Sequence, residues 1–483
     1  MSHILTRLVV GVVVALLGTC GALAQKFSLT DVRASRVGGT AVPGAQRALL
    51  FYAEKPRRDT TVLRQYWLTE HMQRRGQAPL VLRGPYVLQD LIRSRHHVLY
   101  QFKRRSYDTL LNVVVDTLGR TVATYRDHMM PRRRRDVQYQ SLDLPLAHGF
   151  AFVEPGPQRR SRVLFRTPDM KLAWEYTSEA KSQLVGCVAD SSHLWVLLTR
   201  NWLSRHPSSL SLAVCLDLRT GRELGRYVVG PAGSTWVPAV AEVGAHHELL
   251  MTGYAFGRAA SRTRTGDLFY VRVAPNGHQL AERRTALART AELRAARGGR
   301  VHWALVQPAD AAGNVRLVGE TFRSSSYGAV LLRAMFSFGL LQYSVLRPRD
   351  VLSLALDTAG QVRSVRTVPL RQDRGSFVWP GYLQARILAE MAVPYGTFRY
   401  RGVTAPPAGA APTLVLRSPQ QVQTLDLNTH QLAPVRLRPS VGELDVWHVG
   451  PNFLLLYQED AAKRTLEVER VSLAPPAAGS GGK

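Results

Sequence analysis

Cysteine is nearly absent from this 483-residue chain, occurring only at positions 20, 187 and 215. That excludes a small domain held by a disulfide framework. Acids are short as well: 35 Asp and Glu stand against 63 Lys and Arg, for a formal net charge of +28. Only seven of the cations are lysine; the rest are arginine. No Asn-x-Ser/Thr sequon occurs. Several linear enzyme signatures are missing: a Gly-x-Ser-x-Gly elbow, a His-Glu-x-x-His zinc helix and a phosphate-binding glycine loop. What is present is a hydrophobic content of 45 %, enough for a large core and too much for a disordered chain.

Long apolar runs are also few, and the clearest is N-terminal. Arg7 precedes Leu8 to Leu17, and Ala22-Leu23-Ala24 supplies a small-x-small pattern. That order is a secretory signal peptide at 1–24, with cleavage after Ala24. The run is too short to span a bilayer comfortably. The alternatives are a retained membrane anchor, or a lipoprotein on Cys20, where Thr19 is a poor fit to a lipobox. Export, few cysteines and no sequon together point to an extracytoplasmic bacterial protein, periplasmic or secreted. No other segment reads as a transmembrane helix. Cys187 and Cys215 remain in the mature chain and are expected to stay unpaired. They fall on strands two apart, roughly 9–10 Å, whereas a disulfide needs Cα atoms within about 7 Å.

The body lacks helical periodicity and shows short β-branched and aromatic runs separated by turns. One hairpin recurs: an apolar run, then Asp or Asn, then Gly, then a second run. It is read at Asp116–Gly119, Asp217–Gly221, Asn276–Gly277 and Asp357–Gly360, with weaker copies at Asp169 and Asp426. The side-chain oxygen caps the turn and the glycine takes the left-handed conformation. A second, wholly apolar strand type starts at 48, 98, 150, 194 and 249, close to a 50-residue period. That spacing holds four strands with turns.

These hairpins resemble the blades of the β-propeller superfamily, quinoprotein-like repeats among them, and the whole resembles exported bacterial propeller proteins. The resemblance implies an all-β propeller of seven or eight blades over 25–473, with blade boundaries near 26–84, 85–127, 140–180, 181–230, 234–286, 298–370, 393–438 and 440–473. Stacked β-sandwiches are the alternative. The resemblance stops short of a quinone cofactor. Asp217-Leu-Arg-Thr-Gly221 matches part of the quinoprotein motif, but that motif carries a tryptophan where this chain has Gly225, and no adjacent cysteine pair exists. No cofactor is expected.

Four segments interrupt the repeat. Arg132, Arg133, Arg134 and Arg135 form a basic link; Thr404–Pro412 is Pro/Ala-rich; 474–483 reads as a disordered tail. The fourth is a helical insertion at about 327–347, read as a helix over Ala329–Leu346. On a 100° wheel Arg333, Ser337 and Ser344 fall within about 40° of one another, with apolar residues elsewhere. Leu331, Phe336, Phe338 and Leu340 would then pack on a blade or contact a partner or membrane.

Two constellations invite chemistry. Glu54, Glu154, Glu320 and Glu459 each end a strand of the second type, where a propeller could gather carboxylates on one face. Charged residues also finish strands merely because they meet water. The histidine pairs 96–97 and 246–247, with His193, sit in equivalent turns. Lacking acids spaced alongside, they are read as turn residues rather than metal ligands. No catalytic residue is identifiable by spacing. The expected function is a non-enzymatic propeller binding or scaffolding an envelope component, protein or glycan; the alternative is a hydrolase or lyase acting on glycans or small esters in the central funnel. The basic balance suits an anionic envelope partner. No nucleic-acid module is present.

Overall fold

The computed structural model describes residues 25–473 apart from single residues and short connections, the longest being 129–139, 200–210, 257–266, 287–300, 337–342, 381–391 and 405–411. The expected leader and tail lie outside the described residues. The strands form eight antiparallel sheets, each of four strands, the sixth with one more. The protein is an eight-bladed β-propeller. Blades 1–7 occupy 34–83, 86–128, 140–181, 183–229, 235–285, 301–368 and 400–437.

Blade 8 is assembled from both ends of the chain. Glu443–Val449, Phe453–Asp460 and Thr465–Ser472 supply three strands, and Gln25–Leu29 adds the fourth. The sequence reading grouped residue 26 onward with blade 1. The structure corrects this, because Gln25–Leu29 pairs in register with Leu466–Arg470.

Why the second strands read as unbroken apolar runs is visible in the packing. Leu49, Phe51 and Ala53 alternate toward blade 2, while Ala48, Leu50 and Tyr52 alternate toward blade 8. Both faces of such a strand are buried, so the usual polar alternation disappears. One buried cluster fills the interface between every neighbouring pair of blades, eight in all around the ring.

The turn chemistry read from sequence is observed. Asp116 Oδ1 accepts from the amides of Leu118 (2.8 Å) and Arg120 (2.9 Å), and Asp357 Oδ1 from Ala359 (3.0 Å) and Gln361 (2.8 Å). Each third-to-fourth turn of blades 1–7 has a left-handed residue, from Met72 (φ 58°) through Gly221 (72°) to His430 (59°). At Gly221 a second constraint applies: an added Cβ would lie 2.6 Å from the ring of Trp174 in blade 3. Gly221→Ala should therefore lower stability by about 2 kcal/mol, from the left-handed backbone and the clash together. Gly186→Ala, with nothing within 4 Å of its Cβ, is the control. Urea midpoints that move equally for both would refute this account.

Cys187 and Cys215 are free thiols on the first and third strands of blade 4, as expected. Burial pushes both up to about 12. No helix among the described residues is long and apolar enough to cross a membrane.

Candidate functional site

Because each blade is an antiparallel meander, its connections alternate between the two ends of the ring. First-to-second and third-to-fourth turns share one end, the turn face. Second-to-third hairpins and blade-to-blade links share the other, the link face. The sequence distributes charge unequally between them. In sequence, the segments joining the second and third strands of blades 1–5 hold ten Lys and Arg against two acids, and the segments joining first to second and third to fourth strands hold five of each; the ten cations themselves lie outside the described residues.

The link face also bears the helical insertion. In blade 6 the second and third strands, Val315–Ser324 and Tyr343–Leu356, run past their neighbours, and Phe377–Pro380 adds to the overhang by pairing with Tyr343–Leu346. Among the described residues of the connection between them is one helix, α1 (Tyr327–Phe336). Ser326 caps it, accepting the Ala329 amide at 3.2 Å through Oγ. The expected helix over Ala329–Leu346 is thus corrected. The described helix spans Tyr327–Phe336, and Tyr343–Leu346 is strand because both of its edges find partners, Ser324 on one side and Phe377–Pro380 on the other. Ser344, placed on the polar helix stripe by the wheel, is a fully buried strand residue.

Val330 is buried, but Leu331, Leu332, Met335 and Phe336 are 46, 54, 66 and 85 % exposed. Beside them, Arg323 and Arg347 stand directly opposite each other on the long strands, both exposed. Like charges so placed repel, and an anion between them relieves the repulsion. Val378, 52 % exposed, lies across from Val345 on the same overhang. Phe338, Leu340 and Arg132–Arg135 lie outside the described residues; the arginines belong to the link between His128 of blade 2 and Gln140 of blade 3.

The four strand carboxylates have individual settings. Glu54 is bonded to Arg64 Nε at 2.5 Å within blade 1, and Glu154 lies 3.9 Å from Arg162 within blade 3. Glu320 is buried and accepts the amides of Arg399 (3.0 Å) and Tyr400 (2.6 Å), tying blade 6 to the start of blade 7. Burial raises its carboxyl against the lowering effect of those amides. Glu459 sits on blade 8 across from Glu443 and Leu466, partly exposed.

Near the axis, Glu242 on the first strand of blade 5 is open to solvent yet crowded enough that desolvation raises its carboxyl. It is within electrostatic reach of Tyr400 on the first strand of blade 7, whose phenol burial and then Glu242 push up to about 12.

The turn face holds a cluster that sequence reasoning missed. Asp190 and His193 bracket the first turn of blade 4, and His247 ends the equivalent turn of blade 5. His247 Nδ1 is 2.7 Å from Asp190 Oδ2, and the rings of His193 and His247 lie 4.6 Å apart between centroids. Asp190 Oδ1 accepts the amides of Ser192 (2.6 Å) and His193 (2.8 Å). Burial would raise this carboxyl, but the Ser192 and His193 amides and the His247 ring outweigh it and hold the group below the usual carboxylate range. The signal was available: equivalent turns of successive blades are spatial neighbours, so Asp190-x-x-His193 meets a histidine about one repeat later.

No family model matches the sequence, and no curated protein matches it. Solved structures similar to it include a europium-containing methanol dehydrogenase, 8 % identical, with a TM-score of 0.44 over 90 % of this chain and 84 % of that one. The polysaccharide lyase Uly1 is 11 % identical, with a TM-score of 0.41 over 94 % of this chain and 100 % of that one. The β-propeller domain of Cps50 (Swd1) from Myceliophteria thermophila is 8 % identical, with a TM-score of 0.36 over 92 % and 99 %. A prolyl endopeptidase is 11 % identical, with a TM-score of 0.40 over 86 % of this chain, which spans only 54 % of that one. At identities of 8–11 % these matches say nothing of activity or ligand.

Proposed function

We propose that this protein is an exported, non-enzymatic binding propeller that attaches by its link face to an anionic lipid surface of the cell envelope. The observation that supports this reading is the pairing of two features on one overhang: the exposed Arg323 and Arg347, and a helix whose outward side chains are Leu331, Leu332, Met335 and Phe336. Neither feature suffices alone. Exposed charges are screened over about 8 Å at physiological ionic strength, so arginines by themselves give weak, salt-sensitive association. Apolar side chains entering the acyl boundary add about 25 cal/mol per Å² buried, which salt does not screen. Arg323 and Arg347 stand where headgroup phosphates would meet the overhang once the helix is inserted.

Co-sedimentation with phosphatidylglycerol/phosphatidylcholine vesicles tests this. Binding is expected with the anionic mixture and absent with phosphatidylcholine alone, and salt should weaken it without abolishing it. Replacing Leu331, Met335 and Phe336 together by serine should remove the salt-resistant part. The thermal midpoint should hold, since these side chains are exposed. Equal failure of both proteins to bind at low salt discards the reading. The alternative, hydrolysis or lysis of glycans or small esters in the funnel, has Glu242 and Tyr400 as its acid and phenol.

A further inference from the structure

We propose that Asp190, His193 and His247 form a binding site for a divalent transition-metal ion, with zinc the best match, bridging blades 4 and 5 on the turn face. One ligand atom from each of the three residues lies within 4.8 Å of the others. Zinc bonds imidazole nitrogen and carboxylate oxygen at about 2.0–2.2 Å, which sets ligand atoms roughly 3.3–3.5 Å apart in a tetrahedron. His247 Nδ1 and Asp190 Oδ2 are 2.7 Å apart, so a small widening admits the ion between them. Two imidazoles with one carboxylate select zinc over magnesium or calcium, which prefer all-oxygen sets.

The surroundings hold these ligands in place. The Ser192 and His193 amides engage Asp190 Oδ1, which directs Oδ2 toward His247. Ser192 Oγ donates to Asp190 Oδ1 at 3.1 Å and lies 2.9 Å from His193 Nδ1, so it would accept that nitrogen's proton and leave Nε2 for the ion. His247 is left-handed (φ 64°), and its carbonyl accepts from the indole of the fully buried Trp195 at 3.1 Å. Partners of this kind orient metal ligands. With three protein ligands and the His247 side chain 47 % exposed, the fourth position opens to solvent, where water or an anionic ligand would complete the set.

The test uses the full chain, stripped with EDTA and dialysed. Titration with zinc chloride, followed by calorimetry and thermal shift, should give one zinc per chain and a raised midpoint, with no shift from magnesium or calcium. His247→Asn tolerates the left-handed backbone. It and His193→Ala should each weaken zinc binding by at least about tenfold, as loss of one of three ligands requires. Cobalt(II) added to the unmutated protein should give the visible bands of a low-symmetry, four-coordinate ion, a readout that does not depend on any variant folding. No stoichiometric zinc binding, or binding that survives both substitutions, overturns the proposal. The vesicle experiment probes the opposite face, so the two outcomes are independent.

Discussion

Removing Gln25–Leu29 should open the ring and cost about 4–6 kcal/mol, counting roughly 1 kcal/mol for each of several ladder hydrogen bonds plus about 2 for the aromatic side chain. This strand pairs residue for residue with Thr465–Ser472, from Gln25 against Arg470 to Leu29 against Leu466. Phe27 does more than complete blade 8. Its ring lies 5.8 Å from that of Tyr66 in blade 1, and both belong to the cluster that seals the last blade to the first. The Lys26–Glu467 ion pair, 2.6 Å but partly open to water, adds little. Phe27→Ala alone should cost about 2 kcal/mol, separating the side chain from the backbone ladder. Deletion also leaves Thr465–Ser472 as an unpaired edge, which invites pairing with a second chain. Urea unfolding and size-exclusion chromatography report the two effects. A deletion variant with an unchanged midpoint that stays monomeric would show that the ring does not depend on this strand. A leader cleaved after Ala24 would leave the strand whole, starting at its first residue.

The architecture was legible because its determinants are local. An Asp or Asn oxygen two to four residues from the amides it caps is written in the sequence, as at Asp116 and Asp357, and so is the doubly buried run at Ala48–Tyr52. Three features escaped a local reading, each because a distant segment decides it. Tyr343–Leu346 has the apolar character of a helix continuation, and the arrival of Phe377–Pro380 on one edge, with Ser324 on the other, makes it strand. Gln25–Leu29 looks like the start of blade 1 until the ring closes. Asp190, His193 and His247 are 57 positions apart end to end, and they meet only because successive blades superpose equivalent turns. The charge difference between the two sets of connecting segments was hidden for the same reason. The arginine pairs were plain, but only strand order reveals that the second-to-third connections share one end of the ring.

Acid should destabilise the protein through His302, and the effect should be about 3 kcal/mol by pH 4. His302 lies on the first strand of blade 6, stacked on Phe398 with ring centroids 4.3 Å apart. Burial lowers its imidazole from 6.5 to about 4. In the unfolded chain the ring takes a proton as pH falls through about 6.5, while in the folded protein it stays neutral until about 4. Between those limits the unfolded state binds more protons, so stability falls by about 1.4 kcal/mol per unit as pH drops, and nothing is lost above 6.5. Glu320, the cross-strand neighbour of His302, works in the opposite direction. Its carboxyl is raised by burial, so the stability it contributes is present in acid and is lost as pH rises through its folded value. The two partly cancel in the unmutated protein. The difference between that protein and His302→Phe isolates the histidine, since phenylalanine keeps the stack on Phe398 and has no proton to bind. Unfolding free energies measured by urea at intervals from pH 8 to pH 4 should diverge only below about 6.5, with the variant gaining relative stability as pH falls. A constant difference across that range would mean that the ring of His302 reaches water in the folded protein.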